Sequence, residues 1–562
     1  MRNIFFLILS CFCLLSVHAQ NETSKDHISL AGIWNFKLDP LNVSIPVKGS
    51  NFVSKFPEEI TLPGSTDQAG KGFKTQDMSS LRLTRMFEYS GAAWYEKENI
   101  FIPESWKDQQ LFLFLERVHW ESQVWINGKF VGKEESLSTP HLYDITSYVK
   151  FGDWNTVRIR VDNGNIHDIA YTHAISAETQ TNWNGIIGRM EIQAVSKVHI
   201  ADVQIYPLQK EKRLKIVAQI VNYSNLPVKG DIRINCHFLN DSQDLHLKEK
   251  NTTFNSSDSL IHLVHYYDLG DKLYTWDEFE PNLYEIDYEI KCCGKSDVQK
   301  IKFGIRDFGT KGTHFTINDI PTFIRGAVNS CEFPITGYPP MGYEEWKKVM
   351  KVYKDYGLNC IRFHSWCPPE SAFQVADELG LYLQVENSDW RFTVGEDEAT
   401  NAFYLDEAQR IIKEYGNHPS FAFFCEGNEL VGKGCVDFLK EMLTEWKKDS
   451  RHLYVAASGY PTVEGSDFFD FYGARPQRWQ EGLKGRFNSQ PLNTRYDYID
   501  YVKKFSIPMV THEIGQWCAY PDFNQISKYI GVLKPYNYEL FREDLRNKKM
   551  LDQAHDFHIA SG

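Results

Sequence analysis

Clusters of basic residues, closely spaced cysteines and long apolar runs are all scarce in this chain of 562 residues. Its formal net charge is −13 and its lysines and arginines are scattered, which argues against nucleic acid or an anionic membrane as a partner. Beyond the first twenty residues no apolar segment is long enough to span a bilayer, so we predict no membrane insertion. A neutral ligand such as a sugar is left open.

Cysteine is too sparse to form a framework of disulfides. Removing Cys11 and Cys13, which lie in the leader segment described next, from the 11 cysteines leaves nine. An odd number of widely scattered cysteines excludes a small disulfide-stapled scaffold. The adjacent pair Cys292 and Cys293 cannot supply the spaced ligands of a zinc knuckle. We expect mostly free, buried thiols with at most one or two bridges, and no ligand cluster predicts a metal site.

The first twenty residues have the layout of a secretory signal. Arg2 supplies the charged start, residues 4–15 the apolar stretch, and residues 17–19 a cleavage site of small residues. The apolar stretch is too short for a permanent membrane helix. We therefore predict a signal peptide over residues 1–19 and export to the periplasm or the exterior.

Apolar material is plentiful, with 42% hydrophobic and 14% aromatic residues, and the length predicts three or more domains. Residues 20–200 show short apolar runs separated by Gly, Asn and Asp turns, including the hairpin signal Asn127-Gly128. Residues 201–305 repeat this pattern with weaker hydrophobicity. Their length fits a small immunoglobulin-like sandwich.

Near residue 306 the hydrophobic period changes from that of strands to an alternation of helices and strands. Apolar residues at helical intervals around Trp346 predict a helix that ends at Gly357. The same pattern predicts a second helix that ends at Gly380, and two more helices after it. Such repeating units predict a parallel sheet with right-handed crossovers. No phosphate-binding glycine turn opens the series, which favours a (β/α) barrel over an open sheet. Residues 306–562 are therefore predicted to form the barrel.

Seven candidate barrel strands can be recognised, and an eighth has no room after them. We therefore expect a (β/α)8 barrel that stops before its eighth strand, in a fragment or a truncated product. The seven candidates cover residues 322–327, 359–364, 381–386, 421–425, 453–457, 468–472 and 508–511.

Two glutamates, Glu429 and Glu513, stand at the carboxyl ends of two of these strands. In a (β/α) barrel catalytic side chains converge at the carboxyl ends of the strands. A pair of carboxylates there is what the cleavage of a glycosidic bond requires. Glu426 is an alternative to Glu429 as the proton shuttle, because strand alternation alone does not decide between them.

The most specific local sequence of the chain is residues 415–420, which lead to residues 427–429. Further characteristic segments are residues 32–36, 62–64, 125–129, 143–146, 303–306, 315–318, 324–327, 513–515 and 520–521. Together these segments, which span nearly the whole chain, resemble glycoside hydrolase family 2, the family of β-galactosidases, β-glucuronidases and β-mannosidases. The resemblance implies a jelly-roll β-sandwich, an immunoglobulin-like sandwich and a TIM barrel.

The resemblance also implies roles for individual residues. It makes Glu429 the general acid/base and Glu513 the nucleophile of a retaining exo-β-glycosidase. Asn428 is expected to hydrogen-bond the 2-hydroxyl of the sugar. Galactosidases of the family can carry a magnesium or sodium ion near the site, which the residues here do not predict. The further substrate-binding candidates at strand ends are Arg362, His364, Trp366, Trp390, Tyr472 and Trp517.

The identity of the sugar stays open at this point. The tryptophan–serine pair common before the acid/base residue is replaced by Phe424-Cys425, and the asparagine–lysine pair of β-glucuronidases is not evident. Our first hypothesis is a β-galactosidase that acts on oligosaccharide or polysaccharide ends. β-Glucuronidase and β-mannosidase are the alternatives among enzymes, and a carbohydrate-binding protein without activity is the alternative from another class. The sequence predicts no oligomeric state.

Overall fold

The computed structural model describes residues 26–44, 56–75, 78–240, 245, 247–472, 499–514 and 519–561. The predicted signal peptide and Trp517 lie outside these residues. In the described part, no helix is both long enough and apolar enough to cross a membrane. The eight cysteines described are all free, and Cys293 is the one of them that is exposed.

The first domain is a sandwich of two antiparallel sheets. One sheet has the strand order β1-β14-β9-β12 with β4 paired to β14, and the other has the order β11-β10-β13-β8-β2-β3. The strands are β1 (Asp26–Ser29), β2 (Gly32–Asp39), β3 (Glu58–Leu62), β4 (Gly64–Ser65), β5 (Phe73–Lys74), β6 (Thr84–Arg85), β7 (Phe87–Glu88), β8 (Ala92–Ile102), β9 (Gln109–His119), β10 (Glu121–Ile126), β11 (Lys129–Glu135), β12 (His141–Asp144), β13 (Asp153–Asp162) and β14 (Gly185–Ser196).

Period-two alternation builds this sandwich. Leu111, Leu113 and Leu115 point inward from β9 and share one buried cluster with the inward residues of β13. Asn127 and Gly128 join β10 to β11 with φ values of 51° and 78°, as the two-residue turn predicted from the sequence requires.

The second domain confirms the predicted immunoglobulin-like sandwich. Its two sheets, β15-β16-β19 and β18-β17-β20-β21, enclose one apolar cluster. The strands are β15 (Val198–Leu208), β16 (Arg213–Asn222), β17 (Val228–Phe238), β18 (Lys250–Ser256), β19 (Leu260–Asp268), β20 (Tyr284–Cys292) and β21 (Lys295–Phe303).

A parallel α/β region follows and forms part of a TIM barrel. An antiparallel sheet of β22 (Phe308–Lys311), β23 (His314–Ile317) and β24 (Ile320–Thr322) precedes it. Parallel pairing then runs from β25 to β29 and from β30 to β32, and a bridge between Asn428 and Ser458 joins the two groups. The strands are β25 (Gly326–Asn329), β26 (Cys360–Phe363), β27 (Tyr382–Asp389), β28 (Phe421–Gly427), β29 (Leu453–Val455), β30 (Ser458–Gly459), β31 (Phe469–Phe471) and β32 (Met509–Thr511).

Amphipathic helices cover the parallel strands. Asp397 caps α3 by accepting a hydrogen bond from the backbone N–H of Thr400, and Gly380 ends α2 with a φ of 67°. The helices are α1 (Tyr343–Asp355), α2 (Glu370–Leu379), α3 (Glu398–Tyr415), α4 (Cys435–Trp446), α5 (Ile499–Val502), α6 (Tyr536–Asn547) and α7 (Ala554–Ser561). Short 3₁₀ helices cover Glu104–Trp106, Gln209–Glu211, Phe523–Lys528 and Leu551–Gln553.

All seven predicted barrel strands overlap an observed parallel strand, but the first was placed four residues too early. Thr322 pairs antiparallel with Phe315, so it belongs to the preceding hairpin, and the parallel strand begins only at Gly326. In the described part that follows Glu513, no strand joins the parallel sheet. Instead β33 (Leu533–Lys534) pairs with β6 of the first domain.

Two buried arginines form hydrogen bonds between the first domain and the barrel. The Arg117 guanidinium donates to the carbonyl oxygens of Cys367 at 2.8 Å and Pro368 at 3.2 Å. Arg85 likewise donates to the carbonyl oxygen of Gly337 at 2.8 Å. These contacts hold strands β6 and β9 of the first domain against the loops that follow β25 and β26, at the carboxyl ends of the barrel strands.

Candidate active site

The two predicted carboxylates follow the fourth and the seventh parallel strands, if β29 and β30 are counted as one broken strand. Glu429 lies two residues beyond β28, and Glu513 lies two residues beyond β32. Both adopt left-handed backbone conformations, with φ values of 46° and 48°. Such conformations are uncommon for residues other than glycine and cluster at functional sites.

One imidazole brings the two carboxylates together. The Nε2 atom of His512 lies 3.6 Å from Oε1 of Glu429 and 3.4 Å from Oε1 of Glu513. These two distances add to 7.0 Å, so the two oxygen atoms can be no farther apart than that. A retaining glycosidase needs a separation of about 5–5.5 Å between its two carboxyl groups, which lies below this upper bound.

Gly459 leaves the space that His512 occupies. A Cβ atom on this glycine would lie 2.9 Å from Nε2 of His512 and 3.0 Å from Cγ of Glu429. Its φ of 85° also favours glycine at this position. Neither residue was predicted from the sequence, although the position of His512 directly before Glu513 was a usable signal.

Cationic and polar donors surround Glu513. Its Oε1 atom lies 3.2 Å from Nη1 of Arg362 and 3.3 Å from Nε2 of His364. Burial acts to raise the pKa of Glu513, but the hydrogen bond from His364 and the charges of His512 and Arg362 outweigh it and lower the pKa. Glu513 is therefore ionised near neutral pH, as a nucleophilic carboxylate must be.

Solvent exposure separates the two candidate catalytic carboxylates from the carboxylates around them. The side chain of Glu429 is 21% exposed and that of Glu513 is 13% exposed. Glu386 and Asp470 are fully buried beneath them. Of these four groups, the two predicted catalytic residues are the ones that a substrate can touch.

A buried network holds Arg362 in place. Its guanidinium binds Glu386, with Nε 2.6 Å from Oε1, and donates to Oδ1 of Asn428 at 2.7 Å. Glu386 also accepts a hydrogen bond of 2.6 Å from the backbone N–H of Ser365. The sequence analysis missed Glu386, whose position on β27 gave no sign that it pairs with an arginine on β26.

A second buried contact positions His512. The Nδ1 atom of His512 lies 3.4 Å from Oδ1 of Asp470, and Asp470 also accepts a hydrogen bond from Ser458. Burial raises the pKa of Asp470, but the charges of His512 and Arg362 and the hydrogen bonds from His512 and Ser458 together lower it to about 2. Burial lowers the pKa of His512, but the charge of Asp470 and the hydrogen bonds to Asp470 and Glu429 together raise it.

Asn428 lies buried beside Arg362, and its predicted contact with the sugar stays a prediction. Its Oδ1 atom accepts from Arg362, which fixes the orientation of the amide. Its Nδ2 atom is buried and has no hydrogen-bond partner within the described ranges. A buried donor without a partner is costly, so a hydroxyl of a bound sugar is a suitable acceptor.

The predicted tryptophans occupy different environments. The ring of Trp390 lies 4.8 Å from that of His364, at the mouth of the barrel. Trp366 is only 2% exposed, and its indole N–H donates to the carbonyl oxygen of Asn329 inside the barrel core. The structure therefore does not support stacking of Trp366 on a sugar, because its ring faces are covered by core residues.

Tyr472 is exposed at the end of β31, where its ring contacts Tyr460 at 5.6 Å. As far as the structure describes the chain, no hydrogen bond joins Tyr472 to Glu513. The predicted role of Tyr472 in substrate binding stays a prediction. Trp517 lies outside the described residues, and its predicted role stays a prediction.

Glu426, the alternative proton shuttle, is turned away from the mouth of the barrel. It is fully buried, and its Oε2 atom accepts a hydrogen bond of 3.0 Å from Asn387. Burial raises the pKa of Glu426, and the nearby charge of Asp389 raises it further. A neutral, buried carboxyl group in this position has no path to a substrate.

The described side chains that could act as metal ligands do not support a metal-dependent step. Within the described ranges, no group of three or more His, Cys, Asp or Glu side chains is arranged to hold a metal ion. Arg362 and His364 instead place nitrogen donors beside Glu513. We therefore derive no step through a metal.

Two protein-family models match the chain in succession. One, described as "Glycosyl hydrolases family 2, sugar binding domain", covers residues 28–189, and the other, "Glycosyl hydrolases family 2", covers residues 198–306. A Beta-galactosidase of Priestia megaterium is 26% identical over 378 residues, which are 63% of this chain and 35% of that protein. The chain spans 35% to 56% of the length of the first three curated relatives.

Solved structures share the fold. A glycosyl hydrolase family 2 member from Bacteroides cellulosilyticus gives a TM-score of 0.66 at 18% identity, over 91% of this chain and 70% of that chain. A beta-D-Glucuronidase of Dictyoglomus thermophilum gives 0.65 at 18% identity, over 88% and 83%. The predicted architecture is confirmed, and so is the predicted resemblance to glycoside hydrolase family 2, through family models that match residues 28–189 and 198–306.

Proposed function

We propose that the protein is a retaining exo-β-glycosidase that removes terminal β-linked sugars, with β-galactosides as its preferred substrates. The observation that carries the proposal is the contact of one nitrogen atom of His512 with the carboxylates of both Glu429 and Glu513. That contact brings a charged nucleophile and a solvent-accessible proton carrier to one point at the mouth of the barrel.

The first chemical step forms a covalent bond to the enzyme. A carboxylate oxygen of Glu513 attacks the anomeric carbon while Glu429 gives its proton to the glycosidic oxygen. The bond between the anomeric carbon and that oxygen breaks, and the leaving group departs as an alcohol. In the second step Glu429 takes a proton from water, whose oxygen attacks the anomeric carbon and releases Glu513. Two inversions at that carbon retain its configuration.

The surroundings of each carboxylate support this division of roles. Arg362 and His364 both contact Glu513 and keep it charged. Glu429 is the more exposed of the two carboxylates, at 21% against 13%, and we assign it as the group that exchanges a proton with the leaving group and with water. Asn428 would donate a hydrogen bond from Nδ2 to the 2-hydroxyl of the sugar.

Among the described residues, the charges around the site favour a neutral sugar over a uronic acid. Arg362 is engaged by Glu386, Asn428 and Glu513. Burial lowers the pKa of His364, and the charge of Arg362 lowers it further, so this imidazole is neutral at neutral pH. A buried sugar carboxylate needs a cationic partner. The curated relatives named Beta-galactosidase support the same choice, while relatives named as glucuronidases keep that activity as the alternative.

A panel of 4-nitrophenyl β-glycosides tests the proposal. We expect the highest kcat/KM on the β-galactoside, with lower values on the β-glucuronide and the β-mannoside. Proton NMR of the first product should show the β-anomer, because the configuration is retained. Release of the α-anomer would contradict the double displacement. Binding of sugars without hydrolysis of any glycoside would instead support the inactive carbohydrate-binding protein. Export of the protein stays a prediction.

A further inference from the structure

Four aromatic side chains from two domains form a continuous surface at the mouth of the barrel, which we call the aromatic wall. Tyr171 and His173 come from the loop between β13 and β14 of the first domain, and Trp390 and Phe392 come from the segment after β27. The Trp390 ring lies 5.8 Å from the rings of both Tyr171 and His173. The Phe392 ring lies 5.6 Å from that of Tyr171.

Hydrogen bonds between the domains fix the loop that carries half of this wall. Thr172 donates from its hydroxyl to the carbonyl oxygen of Ser365 at 2.7 Å, and the backbone N–H of His173 donates to the Ser365 hydroxyl at 2.9 Å. Thr393 donates to a carboxylate oxygen of Asp168 at 2.5 Å. The wall is therefore built before any ligand arrives, and a ligand that binds it does not have to order the loop.

The wall borders the predicted nucleophile. His364 lies 3.3 Å from Oε1 of Glu513 through Nε2 and 3.1 Å from Nδ1 of His173 through Nδ1. If Nε2 of a neutral His364 donates to Glu513, its Nδ1 accepts and His173 is the donor. His364 thus links the wall to the attacking carboxylate.

We propose that the aromatic wall binds the apolar face of the sugar that Glu513 attacks, away from the leaving group, and selects neutral hexosides over uronides. Aromatic rings stack on the C–H faces of sugars because both surfaces are apolar and flat. Tyr171 and Phe392 are 41% and 46% exposed, so their rings are accessible to a ligand. The wall contains no lysine or arginine that could pair with a uronic acid. This inference rests on the proposed function and names its substrate class.

Truncation of the wall tests its contact with the sugar. We expect Tyr171→Ala and Phe392→Ala each to raise KM for the aryl β-galactoside by about tenfold, with a smaller change in kcat. The factor should be the same for several aryl leaving groups, because the contact is with the other side of the bond. Phe101→Ala is the matched control, since Phe101 is 44% exposed and pairs with Trp154 on the first domain. Its KM should not change.

An unchanged KM in both wall variants would overturn the inference. A loss of activity that varies with the leaving group would also overturn it, because the wall would then contact the leaving group. Thermal melting curves of the variants should coincide with that of the parent protein, since both side chains are exposed. This comparison separates a loss of sugar binding from a loss of folded protein.

A gain of function tests the proposed selectivity. Phe392→Arg places a cation on the wall and should raise the ratio of kcat/KM on the β-glucuronide to that on the β-galactoside by about tenfold or more. An unchanged or lower ratio would contradict the selectivity.

If the parent protein hydrolyses no glycoside, the proposed function fails. Titration with methyl β-galactoside, followed by tryptophan fluorescence, then still tests the wall. Both alanine variants should weaken this binding about tenfold, and equal binding or none would overturn the inference.

Discussion

Glu513→Gln is expected to lower kcat by about four orders of magnitude, because the amide cannot attack the anomeric carbon. The substitution keeps the shape of the side chain and removes the charge that Arg362 and His364 contact. The parent and variant proteins should be compared on the best aryl β-glycoside of the panel. Near-parental activity would contradict the assignment of Glu513 as the nucleophile.

A surface glutamate provides the control for this substitution. Glu344 lies exposed in the first turn of α1, far along the chain from either carboxylate. Glu344→Gln makes the same chemical change without touching the candidate site. We expect its kcat and its melting temperature to match those of the parent protein.

Glu429→Ala is expected to lower kcat/KM by about three orders of magnitude for substrates with poor leaving groups, which need protonation to depart. The loss should be much smaller for activated leaving groups. Azide should restore turnover of activated substrates, because a small anion can attack the glycosyl enzyme without a general base. The product of that rescue is a glycosyl azide, which mass spectrometry detects directly.

Glu426→Gln distinguishes the two candidate proton shuttles. Glu426 is fully buried and its raised pKa keeps it neutral, so glutamine resembles the form that is present. We expect this variant to keep the parental dependence on the leaving group. The assignment of Glu429 would be contradicted if Glu426→Gln lost activity on poor leaving groups while Glu429→Ala showed no rescue by azide.

Local patterns in the sequence predicted much of the fold. Alternating residues in strands such as β9 and helical stripes such as that of α4 depend on neighbours that are close in the chain. The carboxyl ends of β28 and β32 followed from the same patterns, so Glu429 and Glu513 could be placed at one mouth. The start of the first parallel strand was not predicted correctly, because Thr322 pairs with Phe315 in the hairpin that precedes this strand.

Contacts between distant residues could not be predicted. Trp366 and Trp390 both follow strand ends, yet one packs into the core and the other borders the site. His173 reaches His364 across 191 residues of sequence, and only the docking of the first domain brings them together. The sequence of β27 does not indicate a role for Glu386, which becomes evident only from its ion pair with Arg362. Such contacts depend on the whole fold.

The covalent intermediate is the central claim of this account, and trapping it on the protein is the most direct test. The protein should be incubated with a 2-deoxy-2-fluoro-β-galactosyl fluoride, and with the glucuronyl equivalent, and then digested with trypsin for mass spectrometry. We predict one stable adduct on the peptide of residues 505–528, with Glu513 as the modified residue. An adduct on a peptide that lacks Glu513, or turnover of the reagent with no adduct at all, would contradict the account.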